Sequence, residues 1–553
     1  MPLVDVPFLV VGAGPVGLAA AQLLADQGRR CVVVERREGP VRHPAAHAVN
    51  GRTLEIFRQC GLDMDAIQAV ASDPTDAGHV NFVTRLNGEL IGRLPYERQG
   101  VDCLEFTPTP LRNISQHRLE PILSESVQAT EWAEVRYGTE WRSSTHDEDG
   151  VTSVVRNLDT GETLEIRSRY VLAADGAGSR LRRSLGIEMI GPASLQSFIA
   201  IHFRADLRSI VAERLGVLHF VMDPTVAGSF VAHDIDGDWV FMVAFDPAAE
   251  SVDSFDTDRC RELVLAAIGD PEVAVEIVDA GSWNMSAQVA DRMRSGRTFL
   301  VGDAAHRFPP TGGLGLNTGV ADVHGLVWKL GAVEDGWADA SILDTYESER
   351  RSVAELNCEQ STTNAFKIFS LVEALDQAAS PSAEALHEAL ADPVRRAVID
   401  AAVDEQGPHF DMIGLQLGYC YAEGALVHEG APPPALTDPS TFAPDGAVGA
   451  RLPHAWLDDG RSKLDLVDAG IFTLLSFGAH DDWGAALAGL EVAVRHVRIG
   501  VDAEMGDEWR SICRLDTSGA LLVRPDQHVA WRSESAAIGL DALAHAVNQI
   551  RGR

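Results

Sequence analysis

The sequence predicts an α/β protein: a Rossmann-like dinucleotide-binding domain, interrupted by an inserted β-sheet domain and followed by a smaller C-terminal unit. Three observations carry this prediction. A complete strand–turn–helix–strand nucleotide fingerprint stands near the N-terminus. Two later apolar strands each end in a carboxylate beside glycine, and 553 residues exceed what one hydrophobic core holds.

In chain order, Phe8-Leu9-Val10-Val11 reads as a buried strand. The run Gly12-Ala13-Gly14-Pro15-Val16-Gly17 then opens a helix carrying Leu18, Leu23 and Leu24. A second strand, Cys31 to Val34, ends at Glu35, 18 residues past Gly17. Glycines in this setting allow the tight turn and the close approach of a pyrophosphate, and the acid takes ribose hydroxyls. Glu35 suits an unphosphorylated ribose, so the adenine cofactor held here is not expected to be NADPH. A third apolar strand, Tyr170 to Ala174, ends in Asp175-Gly176. A fourth, Thr298 to Val301, delivers Gly302-Asp303. Pro309 and Pro310 stiffen the turn that follows, and Gly312, Gly313, Gly315 and Gly319 let the backbone approach something large and flat. From Asn317 the pattern becomes helical, with Val320, Val323, Leu326, Val327 and Leu330 on one face. An acid for a sugar-like hydroxyl, then a helix start favouring an anion, suits a reduced flavin.

Composition narrows the class. Net charge is −35, which argues against nucleic acid and anionic membrane surfaces as partners. The 46% hydrophobic and 23% charged content is that of an ordinary globular protein. Seven scattered cysteines without a CxxC pair exclude a disulfide framework and a zinc site, and fit a reducing cytoplasm. The apolar N-terminal run is too short for a signal peptide, and no run reaches the ~20 residues of a membrane span.

The fingerprint, the Asp175-Gly176 segment and the Gly302-Asp303 segment together resemble the three ordered motifs of the single-component FAD-dependent aromatic hydroxylases (group A flavoprotein monooxygenases). The stretch His306 to Lys329 is most similar to the phenol and chlorophenol hydroxylases and related polyketide hydroxylases. The resemblance implies FAD as cofactor, NAD(P)H as co-substrate, and O2 added to the flavin as a C4a-hydroperoxide that hydroxylates a small phenolic or polyketide-type ring. It also leaves a homodimer open. It implies a discontinuous FAD domain (1–73, 104–190, 282–375) and a substrate domain (74–103, 191–281). A helical segment and proline-rich linker (376–445, with Ala431-Pro432-Pro433-Pro434) and a thioredoxin-like domain (446–553) complete the expected organisation.

Residue by residue, the resemblance assigns Gly12, Gly14, Pro15, Val16, Gly17, Glu35, Arg36, Asp175, Gly302, Asp303, Gly313 and Gly315 to the cofactor. Gln116 would reach the ribityl chain, Pro310 would lie by the flavin ring, and Leu316 and Asn317 would offer backbone N–H groups to its pyrimidine edge. Arg180 is expected at a nucleotide phosphate or in a surface ion pair, and His219 and Phe241 near substrate or NAD(P)H. One departure stands out: Ala45 occupies the place of the family's usual arginine near the flavin, in His43-Pro44-Ala45-Ala46-His47. His47 falls where relatives place an acid beside the substrate hydroxyl, so it is expected either to accept a phenolic proton, directly or through water, or to be a helix-entry histidine bonded to a backbone carbonyl. His306, just past Asp303, is expected to be structural. Two other readings stay open on the sequence: Baeyer–Villiger oxygenation of a related ketone, and a flavin-binding docking protein without turnover.

Overall fold

A computed structural model describes residues 3–375, 382–428, 436–478, 482–503 and 506–553. The proline-rich run Ala431 to Pro434 lies outside the described residues. The first sheet has eight strands. At its centre Leu3–Val11 pairs in parallel with Thr163–Ala173 on one side and Cys31–Val34 on the other, and Thr298–Leu300 adds in parallel beyond Thr163–Ala173. Phe8 to Val11 are apolar throughout because they are buried on both sides of the sheet, leaving neither side in water. The helices Pro15–Asp26, Gln116–Gln128 and Leu314–Glu334, which pack on one another, provide part of that cover, and the antiparallel strands Thr139–His146 and Val151–Asn157 add Trp141, Val151 and Val155 to the same core.

The second sheet has seven strands and is built from two separate stretches: His79–Val83 with Leu90–Pro95, and five strands between Gln196 and Met285. Its two faces bury different things. Phe230, Trp239 and Phe241 point into a core closed by the helix Thr257–Ile268. Phe82, Leu218 and Phe220 point the other way and pack with Tyr96 and Phe410. This second face is the one that meets the first domain.

The C-terminal sheet runs Val494–Arg498, Phe472–Ser476, Ala520–Val523, Val529–Ser533 in space. The first pair is parallel and the other two antiparallel, with the helix Ala536–Ile550 closing the unit. That order and direction are the thioredoxin-like arrangement. Its seat on the first domain is ionic as well as apolar. Arg524 reaches Glu349 at 2.8 Å and Glu349 accepts from Lys329 at 2.6 Å, all fully buried. Arg52 donates to the Asp526 carbonyl at 2.7 Å, and Arg451 to Glu55 at 2.8 Å. Removing one partner from such a set strands a charge in a low-dielectric interior.

Candidate functional site

Three loops leave the carboxyl ends of three adjacent parallel strands, where open α/β sheets place their ligands. Val11 is paired with Ala173, and Ala173 with Leu300, so Gly12, Asp175 and Gly302-Asp303 emerge side by side. The fingerprint glycines separate into roles. Gly12 has φ +106°, and a Cβ there would meet the Ala174 carbonyl oxygen at 2.2 Å. A Cβ on Gly17 would lie 1.9 Å from the Gly12 carbonyl oxygen. Nothing lies within 4 Å of where a Cβ on Gly14 would stand. The fold itself needs Gly12 and Gly17; at Gly14 no neighbouring protein atom requires the side chain to be absent. Gly178 and Gly315 face open space in the same way.

Two helix starts converge on that space. The helix Pro15–Asp26 begins at Gly14 and the helix Leu314–Glu334 at Gly313, and neither start has a side-chain cap. Uncapped N–H groups at the head of long helices attract an anionic ligand. The second helix begins three residues earlier than its apolar periodicity suggested, because Gly313 takes a left-handed φ of +62° and turns the chain at once. Leu316 and Asn317 therefore sit in its first turn. A Cβ on Gly319 would strike Val16 at 2.5 Å and the Gly302 backbone at 2.9 Å, so both helices and the Gly-Asp loop close on one point.

The acids are placed around this crevice. Glu35 is buried and accepts from the Ala13 N–H at 2.8 Å. Arg37, rather than Arg36, folds back to pair with Glu35 and Glu120, while Arg36 stays exposed. Asp175 accepts from the Leu181 N–H at 3.1 Å, and its second oxygen is buried without a partner. Asp303 is exposed yet closely flanked by protein, as a group lining a crevice is. Burial pushes its carboxyl above the usual range, against the pull of His306 and Arg307. His306 itself is fully buried, with its Nε2 hydrogen-bonded to Asp322 Oδ2 at 2.7 Å. Asp322 also accepts from the Gly302 N–H at 3.1 Å and from Arg350 at 2.9 Å, so it braces the Gly-Asp loop from beneath. Sequence reasoning missed Asp322, although an acid between Ala321 and Val323 in an apolar helix is a visible signal.

Asn317 acts with its side chain as well as its position. Its amide donates to the Ala48 carbonyl at 2.9 Å, and its oxygen accepts from the Asn50 N–H at 3.0 Å and the Thr53 hydroxyl at 2.7 Å. The glycine loop and the His43–Asn50 segment are thereby latched together. The Gly313 N–H donates to the Pro310 carbonyl at 3.1 Å and tightens the intervening turn. Gln116 donates to Glu120 at 2.6 Å, and its backbone N–H holds the Ala46 carbonyl at 2.8 Å.

His47 lies between the two domains. Its Nδ1 is 2.9 Å from Asn113 Oδ1, and its ring stands 6.0 Å from Tyr96 and 5.8 Å from His233. Its Nε2 has no hydrogen-bond partner among the described residues and is not sealed from solvent. Burial lowers its pKa, with the bond to Asn113 opposing, so the neutral ring is favoured. Tyr96 and the aromatic face of the second sheet wall this region.

The structure does not bring three expected residues to the crevice. His219 is fully buried on the opposite face of the second sheet, bonded to the Gly216 carbonyl at 3.1 Å and packed on Trp239. Phe241 faces the same distal core against Phe230. Arg180 is an exposed partner of Glu140. A surface cleft of about 470 Å³ between Arg294, Asp344, Glu347 and Arg351 is walled by surface ion pairs and lies apart from the three motifs.

The crevice fits FAD: the unpartnered buried Asp175 oxygen, the open surroundings of Gly14, Gly178 and Gly315, and two uncapped helix heads are the donors, acceptor and clearance that a dinucleotide needs. Comparison with known proteins gives the class. Residues 5–361 match the FAD binding domain family and residues 445–553 the aromatic-ring hydroxylase C-terminal family. The chain belongs to the FAD-dependent aromatic-ring hydroxylases and is an FAD-dependent monooxygenase. It is 36% identical to a 4-methyl-5-nitrocatechol 5-monooxygenase of Burkholderia sp over 569 residues, covering 97% of this chain and 95% of the relative. It is 35% identical to aklavinone 12-hydroxylase RdmE of Streptomyces purpurascens over 553 residues, covering 96% of each. Among solved structures, the flavin-dependent monooxygenase PieE in complex with FAD and substrate superposes with a TM-score of 0.93 at 34% identity, covering 100% of both chains. No described helix is long and apolar enough to cross a membrane.

Proposed function

We propose that this protein hydroxylates a phenolic or polyketide-type aromatic ring, using NAD(P)H and O2, and that His47 takes the phenolic proton. One observation carries the reading: His47 stands between the glycine loop and the aromatic face of the second sheet, neutral, with one ring nitrogen open. Relatives that act on a nitrocatechol and on aklavinone support the substrate class, since both compounds carry phenolic hydroxyls. We assign Glu35 to the adenosine ribose and the Gly14 helix head to the pyrophosphate. Asp303 is assigned to the ribityl–pyrophosphate region and the Leu316–Asn317 turn to the pyrimidine edge. Bound there, the flavin supplies the redox chemistry that delivers one oxygen atom from O2 to an electron-rich ring.

The chain's own residues then do three things. Asn317 holds the glycine loop at a fixed distance from the His43–Asn50 segment, so ring and base keep one geometry. Tyr96, Phe220 and Phe410 keep water out of the cavity. His47 withdraws the phenolic proton at its open nitrogen, and the resulting phenolate is the stronger nucleophile. The chain has a single dinucleotide fingerprint, assigned here to FAD, so NAD(P)H would be held only transiently and would supply the reducing equivalents.

The test is product formed per NAD(P)H consumed. His47→Ala should retain FAD and lose oxygen transfer by roughly 10²–10⁴-fold, with the missing equivalents recovered as H2O2. Unchanged coupling across the pH range, in a variant with full flavin, returns His47 to the structural, helix-entry role.

A further inference from the structure

We infer that Gln99 and Asn113 are positioning residues that lock His47 in the tautomer protonated on Nδ1, making Nε2 the base; this rests on the reading of His47 above. The argument begins at two backbone carbonyls, which can only accept. Gln99 Nε2 lies 2.9 Å from the Tyr96 carbonyl oxygen and 3.0 Å from that of Ala77. Both contacts require the NH2 end of the amide, so Gln99 Oε1 must face away from them. It faces Asn113 Nδ2 at 3.1 Å, which makes that atom a donor and turns Asn113 Oδ1 toward His47. An amide oxygen has no proton to give. His47 Nδ1, 2.9 Å away, must therefore carry one, and its lone pair is left on Nε2.

The chain is insulated. Gln99 is 7% exposed and Asn113 2%, so water cannot supply an alternative donor at either amide. Both ends are pinned. The Asn113 carbonyl accepts from the Ser72 N–H at 2.8 Å, and the short antiparallel pair Ala48–Val49 with Arg112–Asn113 fixes the histidine loop against it. The opposite tautomer would set two lone pairs, on His47 Nδ1 and Asn113 Oδ1, against each other 2.9 Å apart. Titratable groups facing His47 are Tyr96 from the segment after the second sheet's edge strand and His233 from the strand Gly228–Asp234. Behind His233 stand His117, His202 and Asp238. None of these touches Nδ1, so Asn113 alone sets the tautomer. Ala77, Tyr96 and Gln99 belong to the stretch beside the second sheet and His47 to the nucleotide domain, so seating the one on the other also orients the base.

The probe is 2,4-dichlorophenol bound to the FAD-loaded enzyme without NAD(P)H, its ionisation followed by ultraviolet difference spectra from about pH 6 to 9. The wild type should ionise the bound phenol at lower pH than in free solution. Asn113→Leu should move that midpoint up by about one pH unit. Asn113→Asp, which still accepts from Nδ1–H, should keep the wild-type midpoint or lower it. If His47→Gln removes the shift while all Asn113 variants track the wild type, the tautomer lock is overturned and the base stands. If His47→Gln changes nothing, the base reading fails. The lock is read independently, without any ligand, by ring-15N histidine spectra, in which the signal lost in His47→Gln identifies the residue. Protonated Nδ1 in the wild type and mixed protonation in Asn113→Leu support the lock; protonated Nε2 in the wild type overturns it.

Discussion

At the scale of single residues, the nucleotide turn separates what the fold requires from what the ligand requires. Gly14→Ala introduces a methyl group into space that no protein atom occupies, whereas Gly17→Ala drives one into a carbonyl oxygen at 1.9 Å. The first variant should unfold at the same denaturant concentration as the wild-type apoprotein, yet bind FAD at least tenfold more weakly, because the helix head can no longer meet a phosphate closely. The second should lose stability by roughly 1–3 kcal/mol with or without cofactor. Flavin titration of both apoproteins beside their urea curves checks this; equal FAD affinity in Gly14→Ala would move the pyrophosphate elsewhere. These glycines were legible because each spacing carries its own steric rule. The Gln99–Asn113–His47 chain was not, since amides 14 residues apart follow no periodic or motif signal and meet only through tertiary packing. His219 and Phe241 were misplaced for a related reason. Alternation in a strand says which residues share a face, but both faces of this sheet are buried, so it does not say which face looks at the crevice.

At the scale of elements, a strap, Phe410 to Gly418, is tied to the end of the second sheet by Glu97. The Glu97 N–H donates to the Phe410 carbonyl at 2.6 Å, and its carboxyl accepts from the Met412 N–H at 3.2 Å and from Gln416 at 3.0 Å. Glu97 holds a left-handed φ of +50°, rare for a residue with a side chain. Burial pushes its carboxyl up from 4.5 to about 7. The sign follows from linkage. Below 4.5 both folded and unfolded forms are protonated and no penalty exists. Between 4.5 and about 7 the unfolded chain ionises first, so stability falls as pH rises, and above 7 the loss is constant. Glu97→Gln keeps an acceptor for both donors and has no charge to bury. It should match the wild type near pH 4 and exceed it by about 1–3 kcal/mol above pH 7. Urea unfolding at both pH values decides it, and an equal difference at both would mean the carboxylate is already compensated by Arg98. Helix and strand positions here were readable from apolar period; the strap was not, because Glu97 and the residues it holds lie more than 300 positions apart in the chain and meet only through tertiary packing.

At the scale of the whole molecule, two electrostatic regimes coexist. The joint between the nucleotide domain and the C-terminal domain is a dry network in which Lys329, Glu349, Arg524 and Asp526 satisfy one another. The surface carries the opposite condition: 81 acids against 46 bases give the chain a net charge of −35. Buried pairs lie beyond the reach of counterions, but repulsion among exposed carboxylates acts over distances comparable to the ~10 Å Debye length at about 0.1 M salt. Raising salt also weakens exposed ion pairs such as Arg136–Glu134 and Arg461–Asp459, each worth only about 0–1 kcal/mol. Repulsion grows with the square of the excess and the pair terms only with their number, so screening should win. Thermal unfolding of the FAD-loaded protein at pH 7 should therefore rise by a few degrees between about 0.02 M and 0.5 M sodium chloride. Near the isoelectric point of about 4.8 the same salt step should have little or negative effect, since the excess has vanished and only the pairs remain. A falling midpoint at pH 7 would show that surface pairing outweighs the net charge, and that this acidic chain is held together at its surface as well as at its joint.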